Sequence, residues 1–131
     1  MLRTGLTIAA AVAALTVTAA FSSARQASPS VIEIQLKNYE FVPSTLRLQR
    51  GVPVVLRLVE TAGSHSFSAP ELFAASTLDP TTAAMIRDGK VEVGEGGLEL
   101  RLTPNTPGTY AFRCTHFMHS AFGMKGTAVV E

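Results

Sequence analysis

Residues Cys114-Thr115-His116-Phe117-Met118-His119-Ser120-Ala121-Phe122-Gly123-Met124 hold the chain's only cysteine, two of its three histidines and two of its four methionines. Thiolate, imidazole and thioether form a soft donor set that suits copper, Cu(I) above all, better than magnesium, calcium or manganese. Thioether also argues against zinc, whose usual donors are thiolate, imidazole and carboxylate. The remaining histidine, His65, stands far upstream. It can join the set only if its strand ends at the same pole of the fold as the strand that carries Cys114.

Two histidines compete for the position after the cysteine. His119 has four residues between it and Cys114 and four more before Met124, enough chain to turn three side chains onto one ion. His116 has one intervening residue, and coordination there would force the chain to fold straight back over the metal. The spacing favours His119 and keeps His116 as an alternative or additional ligand. Met118 has a plain reading as an adaptable apolar filler. A lone cysteine or histidine is ordinarily a packed core residue, so it is the set and its order, not any one member, that points to a metal.

The elements around these residues read as strands. Ile32, Ile34 and Leu36 alternate with charged and polar neighbours from Val31 onward, and Leu46 and Leu48 alternate with Arg47 and Gln49. Val54 to Val59 is rich in β-branched residues, Leu98 to Leu102 alternates again, Tyr110, Phe112 and Cys114 share one face, and Thr127 to Glu131 closes the chain. Period-two patterning with regularly spaced turns predicts an all-β fold of seven or eight strands, a Greek-key antiparallel β-sandwich. Asp79-Pro80 opens a short inserted helix, with Gly89 as its C-terminal end. Glu71 to Ser76 suits a helical turn.

Size and composition bound the rest. The 131 residues fit one domain, and the net charge of +1 removes the electrostatic reason to expect nucleic acid as a partner. A basic start at Arg3, an uncharged apolar run from Thr7 to Phe21 and small residues at 22–24 predict a secretory signal peptide over 1–24. The run is short for a membrane anchor. A flexible lead at 25–30 and a domain at 31–131 follow, placing the mature chain in the periplasm or otherwise outside the cytoplasm with no integral membrane span. There an unpaired thiol must be buried or metal-bound to persist. No phosphate loop, HExxH, GxSxG or catalytic carboxylate pair is present, and no enzymatic turnover is expected.

Tyr110-Ala111-Phe112-Arg113-Cys114, then His119, then Met124-Lys125-Gly126 and a final strand, with His65 upstream near Phe67, resemble the cupredoxins, the blue-copper family of azurin, plastocyanin and pseudoazurin. The resemblance implies one copper ion held by His65, Cys114 and His119, with Met124 as a weak axial ligand. It also implies a one-electron carrier cycling Cu(II)/Cu(I), its electron port at His119. Phe117, Met118, Ala121 and Phe122 would then form an apolar collar for a redox partner such as a cytochrome or oxidase. A copper-handling module for delivery, sequestration or tolerance, with a copper-trafficking partner, is the alternative. The family usually places an Asn just before the first histidine, where its side chain ties the two ligand loops together; this chain departs from that pattern, with Ser64 in that place. The family's frequent Pro-Gly in the ligand loop is here His116-Phe117-Met118.

Overall fold

The computed structural model describes residues 28–131, so the segment read as a signal peptide and the start of the lead lie outside the described residues. The chain begins with strands β1 (Ser30–Lys37), β2 (Glu40–Val42), β3 (Thr45–Leu48), β4 (Val54–Glu60) and β5 (His65–Ser68). After helix α1 (Pro70–Ala74) come β6 (Ser76–Leu78), helix α2 (Pro80–Met85), β7 (Lys90–Val93), β8 (Leu98–Pro104), β9 (Gly108–Arg113) and β10 (Lys125–Val130). They form two five-stranded sheets, ordered β2-β1-β4-β8-β6 and β3-β10-β9-β5-β7.

Each sheet turns its apolar face inward. Ile34, Leu36, Leu56, Leu58 and Leu100 from the first sheet meet Leu46, Phe67, Val91, Phe112 and Ala128 from the second, all buried. Phe112 sits at the centre of an aromatic group, with ring centroids 5.1 Å from Phe41 and 5.0 Å from Phe67. Phe112 on β9 and Phe67 on β5 are each two positions from a candidate ligand. The packed aromatic group therefore braces the chain beneath the site.

The sandwich differs from the expected one in three respects. The sheets are mixed: β1 runs parallel to β4, and β3 runs parallel to β10. The chain crosses to the opposite sheet as β3 before returning as β4, so it re-enters beside β1 in the same direction. Face alternation in a sequence carries no information about strand direction. Second, β2 and β6 are three-residue strands, too short to show a period.

The inserted helix supplies the third difference. Asp79 caps it as expected, accepting a hydrogen bond from the Thr81 backbone N–H, but it stops at Met85. Asp88 and Gly89 instead occupy left-handed conformations (φ 52° and 72°), and Arg87 and Lys90 exchange backbone hydrogen bonds of 2.9 and 3.0 Å across them. Asp-Gly forms a two-residue hairpin turn into β7, not a helix end.

Candidate metal centre

His65 opens β5, in register with Val93 of β7, and β5 meets β9 through the pair Ser68–Arg113. Cys114 is the first residue beyond β9, and β10 returns antiparallel with Lys125 opposite Arg113. Residues 114–124 are thus a loop with a closed neck, where the Cys114 N–H donates to the Met124 carbonyl at 3.1 Å. Within the loop the N–H of His119 bonds to the carbonyl of His116 at 3.1 Å, and that of Met124 to the carbonyl of His119 at 3.0 Å. These nested turns, with Met118 at φ 63°, bring Cys114, His119 and Met124 back to one end of the sandwich.

The far histidine and the loop meet there. Ligand atoms of His65, Cys114 and His119 all lie within 4.8 Å of one another. The Nδ1 atoms of the two imidazoles are 3.2 Å apart, and Cys114 Sγ is 3.4 Å from His119 Nδ1. His65 Nε2 is 2.5 Å from the Ala62 carbonyl. A carbonyl only accepts, so Nε2 carries the proton and Nδ1 presents its lone pair to His119. Donors sharing one ion at metal–ligand distances of ~2.0–2.3 Å must lie about 3–4 Å from one another. Two of the three separations fall in that range and the third is within 4.8 Å, and such a donor set fits one copper ion.

His65, Cys114 and Met124 are almost completely buried; His119 is half-buried. Loss of solvation, then the nearby imidazoles of His65 and His116, push the His119 pKa below its ordinary value. The ring stays neutral and available as a ligand at neutral pH.

Several residues that shape the site carry no clear signal in the sequence. Ser66 is fully buried, and its N–H donates to Cys114 Sγ at 3.4 Å while its Oγ lies 3.8 Å from the same sulfur. Ser66 Oγ accepts the Thr115 N–H at 2.8 Å and lies 2.8 Å from Thr115 Oγ1. The tie between the two ligand loops is therefore Ser66, after His65, and not Ser64, which is exposed. Ser66 lies within β5, which meets β9 near Cys114, whereas Ser64 lies before the strand begins. Tyr39, from the β1–β2 turn, packs edge-on against His119 at 5.3 Å and at a tilt against Phe122 at 5.1 Å. Glu92 on β7 holds His116, Oε2 to Nε2, at 2.8 Å. Only chain folding brings these partners near, so nothing local could have marked them.

His116 stands outside the three-donor cluster. Phe117, Met118 and Phe122 are 90%, 45% and 61% exposed around the loop, with Tyr39 beside them at 45%, and Ala121 is also exposed.

A family model described as a cupredoxin-like domain matches residues 7–130. No curated protein matches. Among solved structures, auracyanin B is similar with a TM-score of 0.58 and 21% identity, over 80% of this chain and 91% of its own. Auracyanin from Roseiflexus castenholzii aligns with a TM-score of 0.55 and 22% identity, over 80% of this chain and 99% of its own. Plastocyanin from Dryopteris crassirhizoma aligns with a TM-score of 0.50 and 22% identity, over 76% of this chain and 100% of its own. At these identities the likeness establishes a shared fold.

Proposed function

The chain belongs to the cupredoxin-like domain family, and from this premise we propose that it is an exported, periplasmic type 1 copper protein that carries one electron at a time between redox partners. The observation that carries the reading is the convergence of His65 Nδ1, His119 Nδ1 and Cys114 Sγ, with separations of 3.2 and 3.4 Å along that chain of atoms. Met124, buried and joined through its N–H to the His119 carbonyl, would be the fourth and weaker ligand. Bound copper would supply a Cu(II)/Cu(I) couple.

The protein's part is to keep the ligands still while the charge changes. The Ala62 carbonyl fixes the tautomer and orientation of His65, and Ser66 holds both the sulfur and Thr115. The two ligand loops are anchored on paired strands of one sheet. Little ligand movement between oxidation states means a small reorganisation cost, which is what fast electron transfer requires. His119 is the half-buried member of the set and so the shortest route to the surface. The exposed Phe117, Met118, Phe122, Ala121 and Tyr39 around it suit a small, short-lived contact with a cytochrome or oxidase. No substrate turnover is assigned to the site. Among the described residues no helix is long and apolar enough to cross a membrane; export rests on the signal-like segment 1–24.

Adding Cu(II) to the copper-free protein is expected to give an intense thiolate-to-copper absorption that is lost in Cys114→Ala. A colourless complex in the unaltered protein would overturn the assignment. His116 close to His119, with Met118 exposed alongside, favours copper handling as a second reading. Voltammetry separates the two: a fast, reversible one-electron wave supports the carrier, and tight Cu(I) binding without such a wave supports handling.

A further inference from the structure

His116 is the one histidine that the three-donor cluster leaves out, yet it is not a free loop residue. Its ring lies 5.5 Å from that of His119 and stacks over that of His65 at 6.4 Å with an interplanar angle of 28°. Glu92 Oε2 accepts its Nε2–H at 2.8 Å, which leaves Nδ1 as the ring's remaining donor atom. A carboxylate in this position orients an imidazole and strengthens it as a ligand. Lys90 Nζ, 3.8 Å from Glu92 Oε1 and 3.5 Å from Thr115 Oγ1, holds the carboxylate from its other side.

Burial gives this arrangement a purpose. His65, Cys114 and Met124 have 1% or less of their surface exposed, so an ion arriving from solvent cannot touch them first. His116 and His119 are half-buried, and their rings lie within 6.4 Å of that of His65. A hydrated ion sheds its waters more readily when each is replaced in turn by a protein donor. His116 offers such a donor beside the final site without belonging to it.

We propose that His116, oriented by Glu92, is the entry ligand of the metal centre. It takes copper from solvent through Nδ1 and passes it by ligand exchange to His119, His65 and Cys114. The bond to His116 breaks as bonds to the buried donors form, Cys114 releases its thiol proton to solvent, and the oxidation state of the ion does not change. The inference rests on the reading of the centre as a copper site.

The test mixes copper-free protein with a Cu(II) salt in a stopped-flow instrument and follows the growth of the thiolate-to-copper absorption. His116→Ala and Glu92→Gln are expected to slow the second-order uptake on the order of tenfold, while the final spectrum keeps its position and intensity. His116→Gln, which keeps a polar side chain in the loop, is expected to slow uptake equally if His116→Ala folds poorly. An unchanged rate in the His116 variants overturns the entry role and leaves the Glu92 contact as a clasp on the loop. A displaced final spectrum overturns it as well, by making His116 a permanent ligand. No colour in the unaltered protein sinks the copper assignment and the entry role together, whereas normal colour with an unchanged rate sinks the entry role alone.

Discussion

The sulfur of Cys114 receives the Ser66 N–H at 3.4 Å and has the Ser66 hydroxyl at 3.8 Å. Donors aimed at a thiolate draw electron density from it and so favour reduced copper over oxidised copper. In Ser66→Ala the backbone donor stays but the hydroxyl goes, and the Thr115 N–H loses its acceptor. The reduction potential is expected to fall, measured by voltammetry. Stability should drop by about 0.5–1.5 kcal/mol, the net worth of a hydrogen bond, read from urea unfolding; an unchanged potential would assign the tuning to the backbone N–H alone. His119 gives a second prediction, for the copper-free protein. Its native pKa is lowered, by loss of solvation first and then by His65 and His116, so on acidification the unfolded chain takes up the proton before the native one. Stability from this group is therefore fully present above about pH 6.5 and lost as pH falls toward the lowered native value. Urea midpoints measured at pH 8 and at successively lower pH should decline; flat midpoints would count against it.

The ligand loop is held by its two strands, and the register between β9 and β10 fixes where Cys114 and Met124 fall. Gly126 stands opposite Phe112 in that register, and a Cβ there would collide with the Ser44 carbonyl and the Phe112 ring. Gly126→Ala is expected to cost about 1–3 kcal/mol through overpacking and to broaden the copper absorption, because the strain falls on the strand that begins just after Met124. A wild-type melting temperature in this variant would show that the strands can spread without loss. At this scale the sequence was legible where a pattern repeats. β1, β3, β8 and β9 follow their alternations, and Asp79 caps α2. It was illegible where a motif has two physical uses: Asp88-Gly89 suits both a helix end and a hairpin turn, and the choice fell to pairing between Arg87 and Lys90, which links it to β7.

Across the whole molecule, the copper centre sits where two strands of one sheet end side by side above the Phe41, Phe67 and Phe112 group. Removing the central ring in Phe112→Ala is expected to cost about 3–5 kcal/mol, with weakened copper retention because the chain beneath the ligands loses its brace. Copper binds the folded arrangement of donors brought together from distant positions, so by mass action it should stabilise the fold by about 4 kcal/mol at a free concentration a thousandfold above its dissociation constant. Calorimetry with and without a chelator checks this, and a melting temperature indifferent to copper would contradict a site made by the fold.

The sequence by itself determined the chemistry of the loop: one thiol, clustered imidazoles and thioethers, and a spacing that favours His119 over His116. It also determined which strand faces are apolar, because side-chain type and period are local properties. Tertiary structure alone decided that His65 closes the donor set, that Ser66 ties the ligand loops, and that Tyr39 and Glu92 attend the two loop histidines. Each of those outcomes depends on strand order and direction, including the two parallel pairs. Strand order is settled by packing two sheets against each other over a common core, an energy that belongs to no single stretch of chain.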